Sequence, residues 1–362
     1  MTADFTFCTV EYDSGDWDSA PLVPANLIDS VARYTSIRVA PTGVSVPLGS
    51  RDLFRYPLAY LTGHLPVRFT DLERRTLRAV GDPVARFRED ALRPVRVARF
   101  AAVLGMTPED ATRAALAEVQ DLAPRLAIER VRVEFEKLMA APRPSEGWEL
   151  LREAKLLALW LPELVQSLGV MQNRWHAYDV YFHSLYSCDA APADKPVVRW
   201  AALLHDLGKP ATRVVREGEG TFHRHEAVGA DMARDILERL RFPNAFRDEV
   251  VHLVREHMFD YRATWSDAAV RRFVRRVGVE HLADLFDVRM ADSIGNGLKV
   301  PDVDRLEALS ARVEAVLAEA GAISVEDLAI GGAEVMAVLG IAPGRRVGEA
   351  LEALLEAVIE DP

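Results

Sequence analysis

The stretch Trp200-Ala-Ala-Leu-Leu-His-Asp-Leu-Gly-Lys209 decides how this chain is read. The apolar run from Trp200 to Leu204 reads as a buried helix, and an imidazole and a carboxylate stand side by side at its end. Burying both is costly unless something pairs with them. A divalent metal ion would do so, because neutral imidazole nitrogen and carboxylate oxygen are both good ligands for such ions. Four further candidates lie outward from this stretch: His183 in Asp179-Val-Tyr-Phe-His-Ser, His225 in Phe222-His-Arg-His-Glu, His257 in Leu253-Val-Arg-Glu-His-Met, and Asp292 in Arg289-Met-Ala-Asp-Ser. All five segments read as helical or helix-capping. A lone His on a helix is ordinarily a core or surface residue, and a lone Asp a cap or a solvated group. Six such residues in the order His, His-Asp, His, His, Asp form a far more specific pattern.

This order resembles the HD superfamily of metal-dependent phosphohydrolases over about residues 176–300. The resemblance implies that His183, His205 and Asp292 hold one metal, and that Asp206 bridges to a second held by His225 and His257. It further implies Asp206 as the central catalytic carboxylate and Lys209 as a cation that offsets phosphate charge. A paired-metal site would supply hydroxide near neutral pH and clamp a phosphoryl group. His223 rivals His225, which is preferred because the family places Glu directly after that ligand. His252 lies five residues before His257 and so on another helix face.

With 362 residues and 49% hydrophobic content, the chain can form two or three packed domains. Cys8 and Cys188 fit no zinc or redox spacing, which suits a reducing cytosol. No basic, apolar leader opens the sequence and no run of about twenty apolar residues occurs, so a cytoplasmic protein with no membrane partner is expected. The net charge of −11 argues against bulk affinity for nucleic acid. Two local basic runs stand against it: Arg86, Arg88, Arg93, Arg96 and Arg99, and Arg271, Arg272, Arg275 and Arg276. Solvated helix faces are the plain reading of both.

Residues 1–80 mix strand and helix signals. Phe5–Val10, Ser36–Val39 and Tyr56–Leu61 read as strands. Pro24–Arg33 reads as a helix with Pro near its start, and Thr70–Ala79 as a helix with a capping-box pattern. Phe5-Thr-Phe, Gly15-Asp-Trp-Asp18 and Leu53-Phe-Arg-Tyr-Pro-Leu-Ala-Tyr-Leu61 resemble the first half of an uncharacterised bacterial α/β domain of glutamine-amidotransferase type. No nucleophile elbow accompanies them. Asp13, Asp16 and Asp18 lack the length and following ligands of a calcium loop and read as turn chemistry.

From Gly81 the pattern is helical. Gly81-Asp-Pro-Val-Ala-Arg-Phe-Arg-Glu-Asp-Ala-Leu-Arg93, Ile128-Glu-Arg-Val-Arg132, Leu161-Pro-Glu-Leu164 and the tail from Gly332 to Gly348 resemble bacterial CCA-adding tRNA nucleotidyltransferases, whose members often carry an HD domain here. By that resemblance Glu89, Asp90 and Arg93, with Arg96 beside them, form the neck element that binds the incoming nucleotide. Asp and Arg can present acceptors and forked donors to a base edge; the plain alternative is a surface ion pair of small energetic weight. Two departures stand out. The family's Gly-rich phosphate turn and magnesium-binding carboxylate pair are not found in their expected setting within residues 1–80. Pro94 follows Arg93, and inside a helix it would produce a kink at Asp90.

The expected fold is therefore mainly α: a small N-terminal α/β unit (1–80), a helical neck (81–165), an all-helical HD domain (166–300) and a helical tail (301–362). The leading expectation is a metal-dependent phosphohydrolase acting on phosphomonoesters or 2′,3′-cyclic phosphodiesters of nucleotides or RNA ends, with Mg, Mn, Ni, Co or Fe as cofactor. The alternatives are a tRNA CCA nucleotidyltransferase, or half of a split one, and a non-catalytic tRNA-binding module. tRNA is a candidate partner through the neck arginines and the Pro343-Gly-Arg-Arg346 turn.

Overall fold

The computed structural model describes residues 8–11, 28, 44–47, 59–60, 75–172, 176–216, 219–319 and 324–360. The chain divides into two compact units, Met1–Thr76 and Leu77–Pro362. In the first, β1 (Cys8–Glu11) lies between parallel neighbours β2 (Val44–Pro47) and β3 (Ala59–Tyr60), with Cys8 opposite both Val44 and Ala59. β2 is not among the expected strands. The segments expected at 24–33 and 36–39 lie outside the described residues, residue 28 apart. The helix expected to run to Ala79 is corrected. Thr76–Leu77 is a short strand, β4, and the Leu77 carbonyl accepts from the Glu109 amide at 3.0 Å, beside β5 (Thr107–Pro108). A distant backbone partner has overridden a local capping signal.

The second unit is mainly α, with sixteen α-helices among the described residues. The neck region holds α1 (Pro83–Glu89), α2 (Arg93–Leu104), α3 (Asp110–Ala117), α4 (Ile128–Met139), α5 (Pro144–Glu153) and α6 (Pro162–Gln166). Then come α7 (Val180–Ala190), α8 (Pro196–Leu204), α9 (Lys209–Thr212), α10 (His225–Arg239), α11 (Asn244–Glu256), α12 (Asp267–Val277) and α13 (Leu282–Gly295). The tail is α14 (Val303–Glu319), α15 (Gly332–Leu339) and α16 (Arg345–Glu360). Several starts follow from their caps: the side chains of Asp82, Asp179 and Ser266 accept from the backbone amides of Ala85, Phe182 and Ala269.

Three expectations are corrected here. Pro94 does not kink a helix. The chain is already extended at Asp90 (φ −141°, ψ 104°), and Pro94 falls in the first turn of α2, where its missing N–H costs nothing. The helix expected over 147–160 ends at Glu153, because Lys155 adopts a left-handed φ of 57°. A short 3-10 turn, Leu157–Leu159, follows it. The region between Lys209 and His225 is not wholly helical: β6 (Arg213–Arg216) and β7 (Glu219–Phe222) pair as a hairpin.

One hydrophobic core runs from Phe87 in α1 to Val316 in α14. Its centre is an edge-on aromatic chain: Phe135 to Trp148 (centroids 4.8 Å apart), Trp148 to Trp200 (6.2 Å) and Trp200 to Phe242 (5.1 Å). Trp200 belongs to the apolar run that ends at His205, so α8 is packed against the neck ahead of its His-Asp pair. Arg199, 2% exposed, fastens the same junction. Its guanidinium donates to the carbonyls of Met139, Ala141 (2.5 Å) and Ala191 (3.0 Å), at the C-terminal ends of α4 and α7. Helix ends carry such orphan carbonyls, and a buried cation satisfies them.

Replacing Arg199 with Met removes these bonds and leaves the carbonyls buried. Urea unfolding is expected to show a loss of about 3 kcal/mol, as for a broken buried charged hydrogen-bond group. A loss below about 1 kcal/mol would show that Arg199 is not the fastener.

Candidate functional site

Helix α8 delivers the first pair of site residues: His205 caps its C-terminus and Asp206 follows. His183 lies within α7, His225 opens α10, His257 caps α11, and Asp292 lies near the end of α13. All six are buried. A close backbone approach makes this convergence possible. A Cβ on Gly208 would overlap the carbonyl of His225 and come within 2.6 Å of the Gly229 amide nitrogen. Only glycine allows the turn after Asp206 to sit directly on the first turns of α10.

The six fall into two groups, His183–His205–Asp292 and Asp206–His225–His257, and in each the potential ligand atoms lie within 4.8 Å of one another. His183 Nε2 is 3.1 Å from His205 Nε2, 3.2 Å from Asp292 Oδ1 and 3.2 Å from Asp206 Oδ2. Asp206 faces both groups. Its Oδ2 is 3.3 Å from His205 Nε2, while its Oδ1 is 3.3 Å from His225 Nε2 and 3.9 Å from His257 Nε2.

The tautomers follow from the backbone. The Nδ1 atoms of His205, His225 and His257 each face the carbonyl three residues earlier: Ala202 at 2.8 Å, Phe222 at 2.7 Å and Val254 at 2.7 Å. A carbonyl only accepts, so Nδ1 carries the proton, and a neutral ring offers Nε2 as a lone pair. The Nε2 atoms of His225 and His257 are buried with no hydrogen-bond partner. Lone pairs aimed at a carboxylate oxygen need a cation among them, so the donor set fits a divalent ion. Without one, protons and Lys209 supply the positive charge. Burial opposes the His183 imidazolium, but hydrogen bonds and charge from Asp206 and Asp292 outweigh it, raising its pKa to about 9. Burial also opposes ionisation of Asp206, yet the His205 and Lys209 charges and hydrogen bonds from His183 and His205 hold it well below the usual carboxylate range. Burial, with the charge of His205, lowers His257 to about 3.

Lys209 is held in place. Its Nζ lies 2.5 Å from Asp206 Oδ2 and 2.6 Å from Gln172 Oε1, so it serves the carboxylate directly. Over the groups lies a cavity of about 380 Å³ whose wall includes His176, Phe222, His223, Arg289 and Lys299. Arg289 donates to Asp292 Oδ2 at 3.1 Å. The sequence reading missed His176, Gln172, Arg289 and Lys299. Only Arg289 left a signal, standing one helical turn before Asp292. His252 sits apart from the groups, its Nε2 facing the Val277 carbonyl at 2.6 Å.

The four neck residues also come together, where the chain passes from α1 to α2. Arg93 Nη1 donates to Glu89 Oε2 at 2.8 Å and to the Arg86 carbonyl at 2.7 Å. Arg96 Nη1 reaches Asp90 Oδ2 at 3.2 Å. Hydrogen bonds from Arg93 and then Arg86 lower the pKa of Glu89. The expected basic face is largely neutralised: Arg86 and Arg93 pair with Glu89, Arg88 with Asp121, and Arg96 and Arg99 with Glu134. The second basic run fastens the tail, with Arg271 donating to the Ile359 carbonyl and Arg272 and Arg275 pairing with Glu356 and Glu352. Arg345 is exposed and pairs with Glu349 at 2.8 Å.

Three family models match the chain. Residues 6–79 match a domain of unknown function, residues 105–168 the "probable RNA and SrmB-binding site of polymerase A", and residues 175–308 the HD domain. The chain is 40% identical over 301 residues to the A-adding tRNA nucleotidyltransferase of Deinococcus radiodurans, covering 79% of this chain and 68% of that protein. The chain belongs to the tRNA nucleotidyltransferase family. The CC-adding tRNA nucleotidyltransferase of Thermus thermophilus is 37% identical over 304 residues, covering 80% of this chain and 67% of the relative. The crystal structure of the Bacillus stearothermophilus CCA-adding enzyme in complex with CTP is similar with a TM-score of 0.58 at 25% identity, covering 82% of this chain and 65% of that one. The chain thus spans about two thirds of the length of these relatives. The leading expectation, a phosphohydrolase, is overturned: proteins this similar over 301 and 304 residues are named for adding nucleotides to tRNA. No described helix is long and apolar enough to cross a membrane.

Two outcomes are expected at the buried groups. In metal-free protein, the His183 pKa of about 9 exceeds its ordinary 6.5, so its stabilising contribution is complete below pH 6.5 and lost as pH rises through 9. The metal-free melting temperature is expected to fall over that interval. The increment given by added Ni²⁺ or Co²⁺ is expected to grow, since metal takes the lone pair the proton held. An increment that shrinks with pH would contradict the ligand set. Second, Gly208→Ala is expected to remove at least one bound metal equivalent per chain, read by elemental analysis after dialysis. Wild-type content in that variant would show that the α10 contact does not assemble the second group.

Proposed function

We propose that this chain is the RNA-holding and nucleotide-selecting body of a tRNA nucleotidyltransferase. The observation that carries this is the 40% identity to an A-adding enzyme sustained over 301 residues. Glu89, Asp90, Arg93 and Arg96 would bind the base edge of the incoming nucleotide, as carboxylate acceptors and forked guanidinium donors can. Nucleotidyl transfer also needs a carboxylate pair that holds magnesium. Residues 6–79, next to the neck, match a different family, so that pair would come from a head outside these 362 residues.

The two buried groups would hold divalent ions, one on His183, His205 and Asp292, the other on Asp206, His225 and His257. Two imidazoles and one carboxylate in each favour Fe, Co or Ni over Mg within the expected set. Bound ions would supply a cationic anchor for an anionic oxygen in the cavity. Lys209 holds Asp206 Oδ2, leaving Oδ1 to face His225 and His257.

The test is incubation of the chain with tRNA lacking its 3′ end, magnesium, CTP and ATP. Gel shift is expected to show tRNA binding at about 50 mM salt that weakens at least tenfold by about 200 mM, as counterion release requires. No extension is expected from the chain alone. Absence of tRNA binding even at low salt would overturn the reading. Extension by the chain alone would overturn the need for an outside head.

A further inference from the structure

The cavity beside Phe259 and Arg305 shares Arg289 and Lys299 with the metal cavity, and nothing shows what covers the exposed apolar face of α2. The arginine run of α12 carries an inference.

Helix α12 bears Arg271, Arg272, Arg275 and Arg276 in a chain whose net charge is −11. Its apolar side is turned inward, with Val270, Phe273, Val274 and Val277 buried. Arg276 pairs with Glu256 at 2.8 Å. The other three arginines meet α16. Arg271 is buried, and its Nε donates to the Ile359 carbonyl at 2.7 Å, which tethers the C-terminal end of α16. Arg272 pairs with Glu356 at 2.9 Å and with Glu360. Arg275 pairs with Glu352 and, at 3.4 Å, with Glu356. Among the described residues, every hydrogen bond and ion pair between the two helices uses Arg271, Arg272 or Arg275. The apolar residues of α16 are engaged elsewhere: Leu355 and Ile359 cluster with Val325, Leu328 and Val358, apart from the main core.

Stability does not account for Arg272 and Arg275. They and their three glutamates are partly exposed, and ion pairs in contact with water contribute little because solvent screens them. Arg271 already fixes the helix end. What the glutamates do is occupy two guanidinium groups. Glu352, Glu356 and Glu360 recur every four residues, which makes a row of negative charge spaced by about 6 Å along α16. A guanidinium fork binds carboxylate and phosphate through the same paired N–H donors. The acidic row therefore offers α12 the chemistry of a phosphodiester backbone.

We propose that Arg272 and Arg275 form a phosphodiester-binding surface on α12, masked by the carboxylates of α16, and that an RNA backbone takes the two arginines over from them. Arg271 keeps α16 in place when the exposed pairs exchange. The choice of RNA as the polyanion rests on the reading above; the masking rests on the geometry of the two helices.

The experiment measures binding of the full chain to a fluorescent tRNA transcript lacking its 3′ end. A variant carrying Glu352→Gln, Glu356→Gln and Glu360→Gln removes the mask. Its affinity is expected to rise about tenfold over wild type, with a salt dependence steeper by about 1.5 in log–log slope, as for two added phosphate contacts. A control carrying Glu307→Gln, Glu314→Gln and Glu326→Gln removes the same charge from exposed positions away from α12. It is expected to gain no more than about twofold, the effect of net charge alone. Adding Arg272→Gln and Arg275→Gln to the unmasked variant is expected to abolish the gain. Glu356→Gln alone, which frees one partner of each arginine, perturbs the tail least and is expected to gain about threefold. Equal gains in the unmasked and control variants, or a gain that survives loss of the two arginines, would overturn this proposal and leave the tRNA reading intact. No binding by wild type or any variant would overturn the tRNA reading, and this proposal with it.

Discussion

Asp206 is a fully buried carboxylate on which several helices depend. Its two oxygens face the Nε2 atoms of four imidazoles on α7, α8, α10 and α11. Backbone carbonyls fix the tautomers of three of those rings, so their lone pairs point inward. Such an arrangement repels itself unless positive charge lies inside it. Lys209 supplies one charge and a protonated His183 another. Two divalent ions would supply more, at the two positions the ligand atoms define. The packing of these helices and the charge state of their centre are therefore one problem.

Helix α8 carries this requirement to the rest of the molecule. One end holds His205 and Asp206; the other holds Arg199, fastened to carbonyls of α4 and α7. Between them Trp200 continues the aromatic chain that starts at Phe135 in the neck. The neck and the helices that carry the buried histidines share one hydrophobic core. A module read in isolation would have been assigned by its strongest motif. That is how the phosphohydrolase expectation arose: the His-Asp pattern is dense with chemistry, whereas the scaffold's signature is spread over nearly three hundred residues.

What could be read in advance was the order of the motifs and what helical periodicity encodes. The six histidine and aspartate positions were legible from their order along the chain, which resembles the HD pattern; five of them sit on or cap a helix, and Asp206 lies in the turn after α8. The turn Pro343-Gly344 and the helices on either side were legible from the periodicity. Pro94 was misplaced because a helix break depends on backbone angles at Asp90 that composition does not state. The strand at Thr76 depends on pairing with a segment some thirty residues on, whereas the hairpin after Thr212 pairs locally, Arg216 opposite Glu219. Glu134 left no signal, since its partner Arg96 lies 38 residues away and only the packing of α4 on α2 joins them. The basic neck run was legible as charge but not as neutralised charge, because Glu134 and Asp121 come from other segments.

The most direct measurement is anomalous diffraction from crystals of the full chain soaked in Co²⁺, recorded at the cobalt edge. Two peaks are expected in the helical core. One should lie about 2.0–2.2 Å from His183 Nε2, His205 Nε2 and an oxygen of Asp292, and the other at the same range from His225 Nε2, His257 Nε2 and an oxygen of Asp206. Asp206 should contact both through its two oxygens. A map with no peak at these groups, or with cobalt bound only at surface carboxylates, would contradict a centre built around buried cations.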